Sequence, residues 1–169
     1  MIPRIPTRAI GPVSITLTPA DEELCREVVA HVMTLGFTNL LAIGGPVEKL
    51  NGARGECAIS RAYGVPWSPF RTTIEAFHEP DIGGVDVRAT HYRSGGLPFR
   101  PGRDHEDRPQ ALVITLEREC RIIGYRWGWE CSDPAWFRKA DRTGPAWYRV
   151  PQDVMRDPAW LPISGRGTA

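Results

Sequence analysis

The spacing of apolar and polar positions changes once along the chain. Leu24, Val28, Val32 and Leu35 recur at helical intervals and predict a first helix. Thr18 suits its N-cap, Pro19 its first position, and Asp21, Glu22 and Glu23 the positive end of its dipole, with Gly36 as the stop. A second helix is predicted over 53–63, closed by Gly64 and by Val65-Pro66. It turns Cys57, Ala58, Ala62 and the Tyr63 ring to a core and places Glu56 beside that face, near its first turn. Residues 37–50 are ambiguous, an apolar run from Leu40 to Ile43 followed by Gly44-Gly45-Pro46.

After residue 70 the period shortens to two, which predicts strands over 72–77, 85–92, 97–100, 111–117 and 121–129. Gly83-Gly84 and Gly95-Gly96 mark turns between them. Ser132 or Asp133 caps a short helix through Trp136 and Phe137, 147–150 returns as a strand, and 151–155 forms a last helical turn. Two helices, a run of strands and a late helix read as α/β in the broad sense (α+β), a mixed sheet flanked by helices. The expected organisation is an N-terminal arm over 1–18 carrying Pro3, Pro6 and Pro12 and ending in a strand-like run over 13–17, a single domain over 19–162, and a disordered tail over 163–169. Trp127 and Trp129 share one face of their strand, so that face is expected to be buried.

Composition narrows the function classes. No stretch approaches the roughly 18 consecutive apolar residues of a membrane span, and Met1-Ile2-Pro3-Arg4-Ile5-Pro6 lacks the apolar centre of a signal peptide. The expected location is cytoplasmic, within a host cell if the chain is phage-encoded. A formal net charge of +1 excludes a strongly basic nucleic-acid coat, yet 88–149 carries 12 basic and 8 acidic residues, a local surplus suited to tracking a phosphate backbone. Of the 21 basic residues only Lys49 and Lys139 are lysines, so a site that needs lysine has few candidates. Cys25, Cys57, Cys120 and Cys131 form no CxxC pair and no metal-ligand spacing, and are expected to be buried thiols.

The segment with chemical content is Glu79-Pro80-Asp81-Ile82-Gly83-Gly84-Val85-Asp86-Val87-Arg88. Strand alternation sends Val85 and Val87 inward and Asp86 with Arg88 to the other side, while a tight Gly-Gly reversal brings Asp81 toward Asp86. Carboxylate oxygens gathered in this way suit Mg²⁺ or Mn²⁺. The same residues also read as an ordinary Asp-Gly-Gly turn and a solvated strand face. His91 falls on the face opposite Arg88.

The pattern resembles the PD-(D/E)XK nuclease superfamily. Pro80-Asp81 matches the PD half, Asp86-Val87-Arg88 matches (D/E)XK with arginine in the lysine position, and Glu56 stands where many members carry a helical glutamate. Gly128-Trp129-Glu130 and Pro145-Ala146-Trp147 also look like segments of small phage or prophage proteins. The likeness spans roughly 50–150. It implies a restriction-endonuclease-like αβββαβ core and a Mg²⁺- or Mn²⁺-dependent endo- or exodeoxyribonuclease. In that reading Asp81, Asp86, the Val87 carbonyl and Glu56 hold the metal, and Arg88 holds the phosphate. DNA is the implied partner, contacted through Arg93, Arg100 and Arg103, and a homodimer is compatible with the superfamily. The Asp81–Asp86 gap is short for it. Arg88 departs from it too, because arginine stays protonated and cannot serve as a base. Two alternatives stand beside the enzyme: a nuclease-fold protein that binds nucleic acid without hydrolysis, and a phage accessory protein that binds a host protein through its Trp-rich C-terminal third.

Overall fold

The computed structural model describes residues 11–35, 45–73, 76, 78–139 and 146–165. Helix α1 (Pro19–Thr34) starts in a capping box: Thr18 Oγ1 accepts the Asp21 N–H at 3.1 Å and Asp21 Oδ2 accepts the Thr18 N–H at 3.0 Å. Helix α2 (Pro46–Tyr63) begins seven positions before the sequence pattern predicts, with Gly45 as N-cap and Pro46 at its first position, and ends at Gly64 in the left-handed region. Gly52, a poor helix former just ahead of the predicted span, hid that start. Glu56 consequently lies nearly three turns into α2 rather than near its first turn. Gly55 is required by packing: a Cβ there would come within 2.9 Å of Ala89 Cβ and 3.2 Å of Val87 Cγ1. The helices are tied by ion pairs from α2 to the start of α1, Arg54 to Glu22 and Arg61 to Asp21. Arg54 holds the Glu22 carboxyl below its usual range.

The main sheet has the order β1 (Val13–Thr16), β5 (Glu119–Trp127), β4 (Pro109–Leu116), β2 (Asp86–Thr90). β1 and β4 each run antiparallel to β5, and β2 runs parallel to β4 at one edge, so the sheet is mixed. β3 (Leu97–Phe99), β7 (Ala146–Val150) and β6 (Phe137–Lys139) form a second, antiparallel sheet in the order β3-β7-β6. Alternation along β4 divides the core. Ala111 and Val113 join Val87, Cys57, Ala58, Ile59 and Ile122 against the helices. Leu112 and Ile114 join Leu97, Phe99, Cys131 and Val150 beneath the second sheet. The protein is thus a mixed α/β structure, as its pattern predicts, with all four cysteines free and buried.

Several boundaries differ from the expectation for identifiable reasons. The predicted strand over 72–77 is not formed: Thr73 Oγ1 accepts the Ala76 N–H at 3.2 Å, an N-cap contact, and Ala76 and His78 are helical, while Ile74, Glu75 and Phe77 lie outside the described residues. β5 stops at Trp127 because Gly128 and Trp129 donate their N–H groups to the carbonyls of Arg108 and Glu106 in a short 3₁₀ turn. Trp127 is half-buried, but Trp129 is 63% exposed, against the prediction of one buried face. The helix predicted from Asp133 is a single 3₁₀ turn (Pro134–Trp136), and Phe137 already belongs to β6. The strand-like run that ends the expected arm does form: Val13–Thr16 pairs with β5, while residues 1–10 lie outside the described residues. Ile163, expected in the tail, is buried in the helix-side core, and Ser164 donates its N–H to Gly83 O at 2.9 Å; 166–169 lie outside the described residues. Among the described residues no helix is long and apolar enough to cross a membrane.

Candidate functional site

The edge strand β2 and the turn before it organise the candidate site. Gly83 and Gly84, at φ 55° and 84°, turn the chain between the short bridge residues Ile82 and Val85. Only glycine adopts two such angles in succession without strain. The turn swings Asp81 back along β2, where Asp81 Oδ2 accepts the Val87 N–H at 2.7 Å. Val87 therefore joins the site through its amide N–H. Asp81 Oδ1 lies 3.3 Å from Arg71 Nη1, and Arg71 Nη2 donates to Asp81 O at 2.9 Å and Pro80 O at 3.3 Å. Arg71 is itself anchored, its carbonyl lying 3.0 Å from His31 Nε2 on α1.

Glu56 reaches this corner from α2. Trp67 Nε1 donates to Glu56 Oε2 at 2.8 Å. Burial, and then the Asp81 charge, push the Glu56 carboxyl up to about 8, against the opposing pull of Arg71 and the Trp67 bond. Burial raises Asp81 as well, and Asp86 adds to the rise, while the Val87 N–H, Arg88 and Arg71 counter it. Glu56, Asp81 and Asp86 thus form a chain of interacting acids in which Asp81 feels both neighbours.

Asp86 and Arg88 point to the side of β2 opposite Val85 and Val87, as alternation predicts, and meet Gln110 of β4. Gln110 Nε2 donates to Asp86 Oδ2 at 2.9 Å, and Arg88 Nε donates to Gln110 Oε1 at 3.3 Å. Arg108 Nη1 stands 3.4 Å from Asp86 Oδ1 and donates to His78 O at 2.9 Å. Asp104 completes the hold on Arg88: its Oδ1 accepts Arg88 Nη2 at 2.9 Å and its Oδ2 accepts the Arg100 N–H at 2.7 Å. Burial first, and then the Arg103 and Arg88 charges, press the Arg100 guanidinium down, with Asp104 pulling the other way. Arg88, Arg100 and Arg103 therefore stand within electrostatic reach of one another around one carboxylate. Arg93 does not join them; it is exposed on the loop after β2.

Sequence reasoning named Glu56, Asp81, Asp86 and Arg88 but missed Trp67, Arg71 and Gln110, which hold them together with Asp104 and Arg108. Gln110 carried a signal, a polar residue at the head of the apolar run Ala111-Leu112-Val113-Ile114, and it is fully buried. Arg71 and Trp67 carried none, because their contacts depend on the path of the segment between α2 and the turn. Among the described residues no group of three or more His, Cys, Asp or Glu side chains is arranged to hold a metal ion. Glu56 and Asp81 each offer hard oxygen donors, and burial pushes both carboxyls up. Asp86 is drawn away from that pair by Gln110 and Arg108.

No family model, no curated protein and no solved structure matches the chain.

Proposed function

We propose that the chain is a divalent-metal-dependent hydrolase of DNA phosphodiester bonds, with Glu56 and Asp81 as the cation site, Asp86 beside them, and Arg88 with Arg100 and Arg103 receiving the phosphate. One observation carries the reading: two half-buried acids whose charges interact lie beside an edge strand that presents a held guanidinium. Mg²⁺ is commonly bound by one or two carboxylates together with substrate phosphate, so a third acid is not required. A bound Mg²⁺ or Mn²⁺ supplies Lewis acidity and lowers the pKa of water. The chain's own groups do the rest. Trp67 and Arg71 orient Glu56 and Asp81, and Arg88 offers a planar fork to phosphate oxygens. In the reaction a water oxygen bonds to phosphorus, the bond to the leaving oxygen breaks, and that oxygen takes a proton.

Cleavage of plasmid and of labelled oligonucleotides in Mg²⁺ or Mn²⁺ tests the proposal. Wild type is expected to cut, Asp81→Ala to lose activity, and Asp86→Ala to lose most of it; equal activity in all three overturns the assignment.

A second reading, a nucleic-acid-binding protein without hydrolysis, is favoured by the commitment of Asp86 to Gln110 and Arg108 and by arginine at position 88. It predicts salt-dependent DNA binding and no metal-stimulated cleavage.

A further inference from the structure

The loop that leaves β2, residues 91–96, is held from several directions while its side chains face outward. Tyr92 N–H donates to Thr90 Oγ1 at 3.3 Å, and Gly95 N–H donates to Tyr92 O at 2.8 Å. Gln152 Nε2 donates to the carbonyls of Arg93 and Gly95, each at 2.8 Å, and Arg149 Nη2 donates to Ser94 O at 3.1 Å. His91 is pinned from beneath: its Nδ1 lies 3.3 Å from Asn51 Nδ2, and the buried Asn51 accepts the Thr115 hydroxyl on its Oδ1 at 2.9 Å.

This scaffolding presents one large aromatic surface. Tyr92 is 64% exposed, and its ring is backed by the His91 ring with centroids 4.1 Å apart and planes tilted by 37°. Two exposed arginines belong to the same surface, Arg93 on the loop and Arg149 on β7, whose Nη2 donates to Ser94 O of the loop. Among the described residues neither forms an ion pair with a carboxylate, whereas Arg54, Arg61, Arg71, Arg88, Arg108 and Arg156 do. An exposed ring on a loop that also offers cations with no carboxylate partner among the described residues matches the two faces of a nucleotide, a base that stacks and a phosphate that needs positive charge. Stacking on Tyr92 requires a base free of its duplex partner. The loop also continues the strand that bears Arg88, about 10 Å further along it from Arg88 to His91.

We infer that the 91–96 loop is a docking surface for single-stranded nucleic acid, with Tyr92, backed by His91, as the stacking platform and Arg93 and Arg149 as phosphate contacts. The inference rests on the reading of DNA as substrate and adds a preference for unpaired bases, set apart from the hydrolytic groups.

Fluorescence anisotropy of a labelled oligothymidylate, titrated with full-length protein in EDTA, tests it without cleavage. Tyr92→Ala is expected to weaken binding by about 5- to 100-fold and Tyr92→Phe to retain it. Arg93→Ala with Arg149→Ala is expected to flatten the salt dependence by about one to two in log–log slope. Unchanged affinity in Tyr92→Ala, or wild-type binding to a duplex but not to the single strand, overturns the inference while leaving the hydrolytic reading standing. Binding to neither removes both.

Discussion

Asp81 accepts the backbone N–H of Val87 at 2.7 Å, closing the Gly83-Gly84 turn onto the edge strand that carries Asp86 and Arg88. A single carboxylate thus serves the fold and the candidate chemistry, and the two roles separate by substitution. Asp81→Asn keeps an oxygen for the Val87 N–H and removes the charge. Asp81→Ala removes both and leaves Arg71 with the Pro80 and Asp81 carbonyls but without its carboxylate partner. Urea unfolding is expected to show Asp81→Ala destabilised by about 1–3 kcal/mol and Asp81→Asn by less, with metal-dependent cleavage lost in both.

Glu56 makes stability depend on pH. Burial and then the Asp81 charge push its carboxyl up to about 8 in the folded protein, whereas a glutamate in the unfolded chain titrates near 4.5. Between those limits the folded state binds more proton than the unfolded chain, so stability falls as pH rises and levels off above the upper limit. Urea titrations across that range are expected to show a clear decline in wild type, at most about 5 kcal/mol. Most of this contribution is expected to vanish in Glu56→Gln.

Gly55 sets how closely α2 lies on the sheet. Gly55→Ala places a methyl within 2.9 Å of Ala89 Cβ, so the helix carrying Glu56 must move. The expected loss, about 1–3 kcal/mol by chemical denaturation, exceeds the gain in helix propensity that alanine brings.

Arg88 is held by Gln110 and Asp104 and is expected to act on phosphate. Arg88→Ala is expected to lower DNA affinity and reduce the slope of log affinity against log salt by about one. Gel-shift titrations over a range of salt check this, and an unchanged slope removes the phosphate contact.

The sequence pattern made both helices, most of the strands and the division of β2 into an apolar and a polar side legible. Strand alternation placed Asp86 beside Arg88, and the Gly-Gly turn placed Asp81 near them, because both follow from local geometry. Helix α2 was shortened in the reading because Gly52 interrupts its first turns; Gly55, within the predicted span, is there for contact with Ala89 and Val87 across the core. Trp129 defied alternation because the carbonyls of Arg108 and Glu106 end β5. The partners Arg71, Trp67 and Asp104 depend on where irregular segments run in space, which periodicity does not encode.

Direct titration of Mn²⁺, followed by calorimetry or by the loss of the free-ion electron paramagnetic resonance signal, tests the central claim most directly. Wild type is expected to bind the ion with an affinity that rises with pH toward about 8, as Glu56 gives up its proton. Glu56→Gln and Asp81→Asn are expected to lose that binding. A wild-type protein that takes up no ion, or variants that bind it as tightly, would contradict the account.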